Sequence, residues 1–323
     1  MSSAGGNRVP DFFIVGHAKC GTTALYAMLK EHPQIFMPDV KEPRFFCSDF
    51  WSRFELARET PKPQHTLEGY LSLFENARAE QLVGEASPQY IRSRVAPGAI
   101  AELQPGARII AILREPASFL RSFHMQMVSS NVEFERDFAK AIALEPARSR
   151  GEQIPPQSHH PDALMYSEHV RYAEQLRRYR SVFPTENMLV LIYDDYRADN
   201  EGTLRKVLRF LDVDDTVPID TLDTKALKTV RSPRLHQLAN AARVARTNPD
   251  AASPLGRAVN ALTKPLRSGP FKSGWRRFAY SAPQPPDEQL MLELRKRFKP
   301  EVVALGEYLD RDLVGLWGYD QIG

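Results

Sequence analysis

The chain has 323 residues and a net charge of +3, and is 42% hydrophobic and 26% charged. This is ordinary globular composition, long enough for one large α/β domain or two small ones. The small net charge gives no argument for a nucleic-acid partner. Two cysteines, Cys20 and Cys47, imply no disulfide framework, so a reducing, cytoplasmic setting is the default. Residues 1–10 are small and polar, are expected to be flexible, and show no apolar leader. No apolar run approaches the roughly 18 residues of a membrane span.

Asp11 to Val15 is a short continuous apolar run, the pattern of a buried parallel strand. Thr22 to Lys30 reads as a helix with Ala24, Leu25, Met28 and Leu29 on its apolar face, stopped by His32-Pro33. Gln34 to Met37 is strand-like, and Lys41-Glu42-Pro43-Arg44-Phe45-Phe46 follows. Trp51 to Pro63 is expected to be a loop with a helical turn, and Leu67 to Phe74 a helix. A second strand covers Gln81 to Glu85, a short helix Pro97 to Leu103, and a core strand Arg108 to Leu113. A helix begins at Pro116 and runs to about Met127. Glu145 to Pro161 has four prolines and no periodicity, and is expected to be a mobile loop and candidate lid. Met165 to Val182 reads as one long amphipathic helix, Met188 to Tyr193 as a buried strand, and Glu201 to Leu211 as a helix.

From Lys225 to Arg277 there are twelve Lys or Arg and one acid, Asp250. A solvated basic face is the ordinary reading; a positive wall for a polyanion or an acidic acceptor is the functional one. Leu255, Val259, Leu262 and Leu266 recur at helical spacing there, suiting core packing better than peripheral membrane contact. A final helix is expected from Asp287 to Asp310. Strands alternating with helices predict an α/β fold, a central parallel sheet with helices on both faces.

The chemistry gathers around Gly16-His17-Ala18-Lys19-Cys20-Gly21-Thr22-Thr23, a strand end, a loop and a helix start. That order is a phosphate cradle. A Walker A loop places lysine directly after the second glycine; here Thr22 stands there and Lys19 lies inside the loop. Lys19 is the leading candidate for anion binding and charge stabilisation, with Thr22 and Thr23 beside the free helix N–H groups or acting as plain caps. Arg114 sits at the end of a core strand, where α/β sheets bind ligands, and Ser118 and Ser122 share one face of the next helix. Glu42 is a general base or a surface glutamate, and Glu85 is a second candidate acid. Asp194 and Asp195 would bind Mg²⁺ in an NTPase, or else backbone or an arginine. The histidines show no metal-ligand spacing.

Together these segments resemble the sulfotransferase family that uses 3′-phosphoadenosine 5′-phosphosulfate (PAPS). The loop from Gly16 to Thr23 looks like its 5′-phosphosulfate loop, and Leu113-Arg114-Glu115-Pro116 through Ser122 like its 3′-phosphate motif. Lys41 to Phe46 and Gly84-Glu85-Ala86-Ser87-Pro88-Gln89-Tyr90 resemble segments of the glycan-modifying and related bacterial branch. Leu189 to Asp195 is similar to its later core strand, and Asp312 to Tyr319 to that branch's tail. The resemblance implies a P-loop-type sheet, a single domain over residues 11–323, PAPS as donor, and no required metal. It implies binding of PAPS by Lys19, Cys20, Gly21, Thr22, Thr23, Arg114, Ser122 and Tyr193, with Arg276 in a segment closing over the 3′-phosphate. Lys19 and Glu42 would be catalytic, Glu42 as the base. The acceptor would be a hydroxyl of a sugar, lipid or natural product. A P-loop kinase or NTPase, and a nucleotide-binding protein without catalysis, are the rival readings.

Overall fold

The computed structural model describes residues 8–50, 63–130, 132–155, 158, 160–220, 229–230, 280–281 and 285–322. Arg276 and the basic stretch, apart from residues 229–230, lie outside them, as does most of the Trp51–Pro63 loop. The chain divides into two compact units.

The first unit holds residues 1–123, 159–225 and 288–323. It is built on strands β1 (Phe12–Gly16), β2 (Ile35–Phe36), β3 (Leu82–Ala86), β4 (Arg108–Leu113) and β5 (Met188–Ile192). All neighbours are parallel, in the order β2-β3-β1-β4-β5. Successive strand residues point to opposite faces. Phe12, Phe13, Ile14 and Val15 are all buried, so the sheet is covered on both sides. The chain leaves β1 toward β2 and β3, then crosses to β4 on the other side. A crevice at the C-terminal end of β1 is the usual consequence of such a reversal.

Helices α1 (Thr22–Lys30), α2 (Leu67–Leu71), α3 (Ala96–Leu103) and α4 (Pro116–Ser129) lie between these strands, as the periodicity predicts. Glu115 starts α4: its carboxylate accepts from the N–H groups of Ala117 and Ser118 at 3.1 and 2.6 Å. The predicted long helix over 165–182 is in fact two, α7 (Tyr166–His169) and α8 (Tyr172–Arg180), labels that follow α5 and α6 of the second unit. At the break the Gln175 side-chain amide donates to the carbonyls of Glu168 and His169, competing with helix continuation. Helices α9 (Tyr193–Ala198) and α10 (Asn200–Phe210) follow β5, so Tyr193 opens a helix rather than ending a strand. The C-terminal α11 (Glu288–Leu309) buries Leu294, Phe298, Val302 and Leu305. Leu292 is exposed. A short α12 (Leu313–Leu316) is tied down by Trp317 Nε1 donating to Asp194 and by Arg311 pairing with Asp195. The two aspartates thus serve the C-terminal segment. No helix among the described residues is long and apolar enough to cross a membrane.

The second unit holds residues 124–158 and 226–287. It contains α5 (Phe138–Ala143), α6 (Glu145–Ser149) and an antiparallel pair of β6 (Thr229–Val230) with β7 (Tyr280–Ser281). The expected loop over 145–161 therefore begins as a helix. Arg148 makes a bidentate pair with Glu133 at 2.7 and 2.9 Å, with side chains 2% and 0% exposed. That tertiary bond leaves no periodic trace in sequence. Removing one partner strands a buried charge. Arg148→Met should lower the unfolding free energy by about 3–5 kcal/mol, read from denaturant unfolding. The double variant with Glu133→Gln should recover part of the loss.

Candidate active site at the C-terminal edge of the sheet

The loop after β1 turns through left-handed backbone at Lys19 (φ 63°) and Gly21 (φ 89°). Glycine takes this conformation freely, whereas lysine does so at roughly 1–2 kcal/mol. Gly21 is the N-cap of α1, no side chain caps the helix, and its first turn holds no acid. Neither threonine is a cap. Thr22 is buried and Thr23 exposed; the Ala24 and Leu25 N–H groups donate to the Gly21 carbonyl at 2.9 and 3.1 Å, which leaves the N–H groups of Thr22 and Thr23 without an acceptor among the described residues.

Lys19 is half-buried, and its ammonium has no hydrogen-bond or ion-pair partner among the described residues. Burial, then the nearby Arg114, lowers its pKa. Arg114 reaches across from the end of β4. Its Nη1 donates to the Lys19 carbonyl at 3.4 Å, and its Nε and Nη2 donate to Ser118 Oγ at 3.0 and 2.6 Å. Its guanidinium carbon lies 4.8 Å from the centre of the Tyr193 ring, at the start of α9. Arg121 joins this group: burial, then Arg114, lowers its pKa. Ser122, one helical turn beyond Ser118, is buried, and its Oγ has no partner among the described residues. Two or three cations, a buried orphan hydroxyl and free helix N–H groups are the complement of a ligand with more than one anionic group.

Cys20 offers a ligand its backbone rather than its side chain. Its side chain is fully buried and its thiol donates to the Ala18 carbonyl at 3.4 Å. Burial pushes its pKa up to about 12, so only its backbone is available to a ligand. His17, given no role from sequence, is buried, and its Nε2 bonds the His169 carbonyl at the α7–α8 break (3.0 Å). Burial, aided by Arg92, lowers its pKa to about 3, so the ring is neutral and donates. It ties the loop to that break. Nothing in the sequence pairs residues 17 and 169.

Glu42 reaches the same edge from another direction. Its N–H donates to the carbonyl of Ala86, the last residue of β3 (3.1 Å), and β3 lies beside β1. Its side chain is 38% exposed, with Oε1 2.6 Å from Lys41 Nζ and Oε2 accepting from Gln89 Nε2 at 3.3 Å. A carboxylate open on one side and held on the other can take a proton from a ligand. Glu42 and Arg44 both have left-handed backbone (φ 60° and 59°), at roughly 1–2 kcal/mol each. Glu85, by contrast, is fully buried. Burial pushes its pKa up to about 7, against the pull of the neighbouring Ser87, Tyr90 and Tyr70 hydroxyls. It cannot touch an acceptor.

Arg114 thus touches Lys19 on one side and the Tyr193 ring on the other, Ser122 lies one helical turn beyond the Ser118 that holds it, and Glu42 is tied to the end of the neighbouring strand β3. The model of the Sulfotransferase family matches residues 10–217. Human carbohydrate sulfotransferase 15 is 26% identical over 248 residues, covering 64% of this chain and 44% of that protein. The human bifunctional heparan sulfate N-deacetylase/N-sulfotransferase 3 is 28% identical over 212 residues, covering 64% of this chain and 23% of that protein. The chain thus spans less than half the length of these curated relatives. The crystal structure of a sulfotransferase from Alicyclobacillus acidocaldarius superposes with a TM-score of 0.58 at 26% identity, covering 84% of this chain and all of that one. The matched segment runs from just before β1 to just beyond α10 and carries Lys19, Glu42, Arg114, Ser122 and Tyr193, so the chain belongs to the sulfotransferase family.

Proposed function

We propose that this protein transfers a sulfuryl group from PAPS to a hydroxyl, with a sugar as the leading acceptor class and lipid or natural-product hydroxyls next. The observation that carries the reading is the pairing of an unpartnered Lys19 ammonium with a separate Arg114–Ser122 anion site, whose buried hydroxyl lacks a partner. An ATP or GTP enzyme has no 3′-phosphate and needs no such second site. When bound, PAPS supplies an activated sulfuryl group on a phosphosulfate. Arg114 and Ser122 would hold its 3′-phosphate, and Thr22, Thr23 and the loop N–H groups its 5′-phosphate. Lys19 would offset charge growing on the departing phosphate oxygen, and Glu42 would take the proton of the attacking hydroxyl. Arg276 is retained as a candidate for closing over the 3′-phosphate. The unpaired, buried thiols of Cys20 and Cys47 fit a cytoplasmic setting. The sugar preference rests on the names of the relatives, human carbohydrate sulfotransferase 15 among them.

A thermal-shift panel separates the readings. 3′,5′-ADP should stabilise the protein without Mg²⁺, more than ATP or GTP does with it. A larger response to ATP–Mg²⁺ would sink the assignment. Ser122→Ala should weaken 3′,5′-ADP binding by roughly 10–100-fold, the worth of a hydrogen bond to a charged group, and leave 5′-AMP binding unchanged. A screen with radiolabelled PAPS against desulfated glycan oligosaccharides, glycolipids and phenols would then identify the acceptor.

A further inference from the structure

The segment that presents Glu42 contains no regular secondary structure, yet its backbone is fixed at three points. The N–H groups of Glu42, Arg44 and Phe46 donate in turn to Ala86 O, Ser87 Oγ and Tyr90 Oη, at 3.1, 3.1 and 3.4 Å. Alternate amides of one strained segment thus land on the last residue of β3 and on two side chains of the segment leaving it. Two of the three acceptors are hydroxyls. A hydroxyl that accepts a backbone N–H still has its own proton to place.

Glu85 lies beside both hydroxyls. Its carboxyl is fully buried, Tyr70 donates to Oε2 at 3.4 Å, and Oε1 has no partner meeting hydrogen-bond geometry among the described residues. The Ser87 and Tyr90 hydroxyls lie close enough to favour its charged form. Phe46 packs edge-on against Tyr70 and Tyr90, at 5.3 and 5.8 Å between ring centres, closing the carboxyl off from water. The other titratable groups facing it are Glu42 on the presented segment, Cys47 beyond it, Tyr26 on α1 and Tyr179 on α8. None of these is a cation.

We propose that Glu85 is a positioning residue, which orients the Ser87 and Tyr90 hydroxyls so that they hold the backbone of residues 42–46 and thereby aim the Glu42 carboxylate at the acceptor. The inference rests on Glu42 being the base. Its protonation gives it a sign. As a carboxylate, Glu85 only accepts, and both hydroxyls can turn their protons toward it. Once protonated it donates to one of them, and that oxygen's hold on its backbone N–H weakens. The pKa is pushed up to about 7, so the hold should tighten as pH rises through that value.

The first readout needs no ligand. Amide exchange, corrected for intrinsic rates, should show protection at Arg44 and Phe46 rising across about pH 7. Ser87→Ala should lose Arg44 protection and Tyr90→Phe should lose Phe46 protection, each by roughly tenfold. Glu85→Gln keeps the shape and removes the charge, so its protection should stay at the low-pH level throughout. The second readout is sulfate release from radiolabelled PAPS with water as the acceptor. Its rate should fall roughly 10–100-fold in the serine and tyrosine variants, as for a base displaced by about an ångström, while 3′,5′-ADP affinity is unchanged. The step near pH 7 should vanish in Glu85→Gln. Unchanged protection at both amides, a surviving pH step in Glu85→Gln, or 3′,5′-ADP affinity falling in parallel with rate would overturn the proposal. Glu42→Gln with wild-type turnover would instead remove the base assignment, leaving the exchange data to decide whether Glu85 holds the segment.

Discussion

Lys19→Ala should lower sulfuryl transfer by roughly 10²–10³-fold, the loss seen when one preorganised charge-stabilising group is removed from a site. The fold should survive. The ammonium has no partner to lose among the described residues, and its removal relieves both its burial and its repulsion by Arg114. The left-handed backbone at position 19 is no harder for alanine than for lysine. The melting temperature should therefore stay level or rise as turnover collapses. Lys19→Arg should keep part of the activity, since the charge remains but the fork fits a tight loop poorly. Steady-state rates with radiolabelled PAPS, paired with thermal unfolding, would check this. Near-normal turnover in Lys19→Ala would end the sulfotransferase reading of this site.

Glu42→Gln should cost roughly 10²–10⁴-fold in kcat, the usual worth of a general base. Glutamine keeps the side-chain length and one carbonyl oxygen to accept from Gln89, so donor affinity should not change. The Lys41 pair is half-exposed and contributes little to stability, so unfolding should be nearly unaffected. The opposite pattern, with weakened 3′,5′-ADP binding and preserved kcat, would move Glu42 from the acceptor side to the donor side. Exposure supports Glu42 rather than Glu85 as the proposed base: Glu42 is 38% exposed, whereas Glu85 is 0% exposed.

The sequence legibly carried the parts that depend on local rules. Strand β4 and helix α1 fall at their predicted bounds because an apolar run and a 3.6-residue stripe report burial directly. Lys19 was identifiable because a strand, a glycine-flanked loop and a helix start can do little with a loop cation except bind an anion. Arg114 and Ser122 were identifiable from the spacing of a strand end and one helix face. The division of labour between the two serines was not. Ser118 takes the guanidinium and Ser122 is left open, a choice made by side-chain reach across the sheet edge.

The remaining features come from bonds between residues far apart in the chain. The break between α7 and α8 sits in a pattern that suits a continuous helix, because Gln175 and His17 claim the carbonyls there. Helix α6 holds Arg148 inside a stretch that looks like loop, because its partner Glu133 lies fifteen residues away. Glu85 looks like any acid at the end of a strand until Tyr70, Ser87 and Tyr90 close around it. By itself, then, the sequence determined the parallel sheet, written in a local pattern of burial, and offered the glycine-flanked loop and the Arg114–Ser122 pair as the proposed anion sites, the 3′-phosphate role of the second coming from the family resemblance. Only the tertiary structure decided which groups are held and which are left free to act. Hydrogen-bond partners and desolvation depend on what packs against a residue, and no local pattern records that.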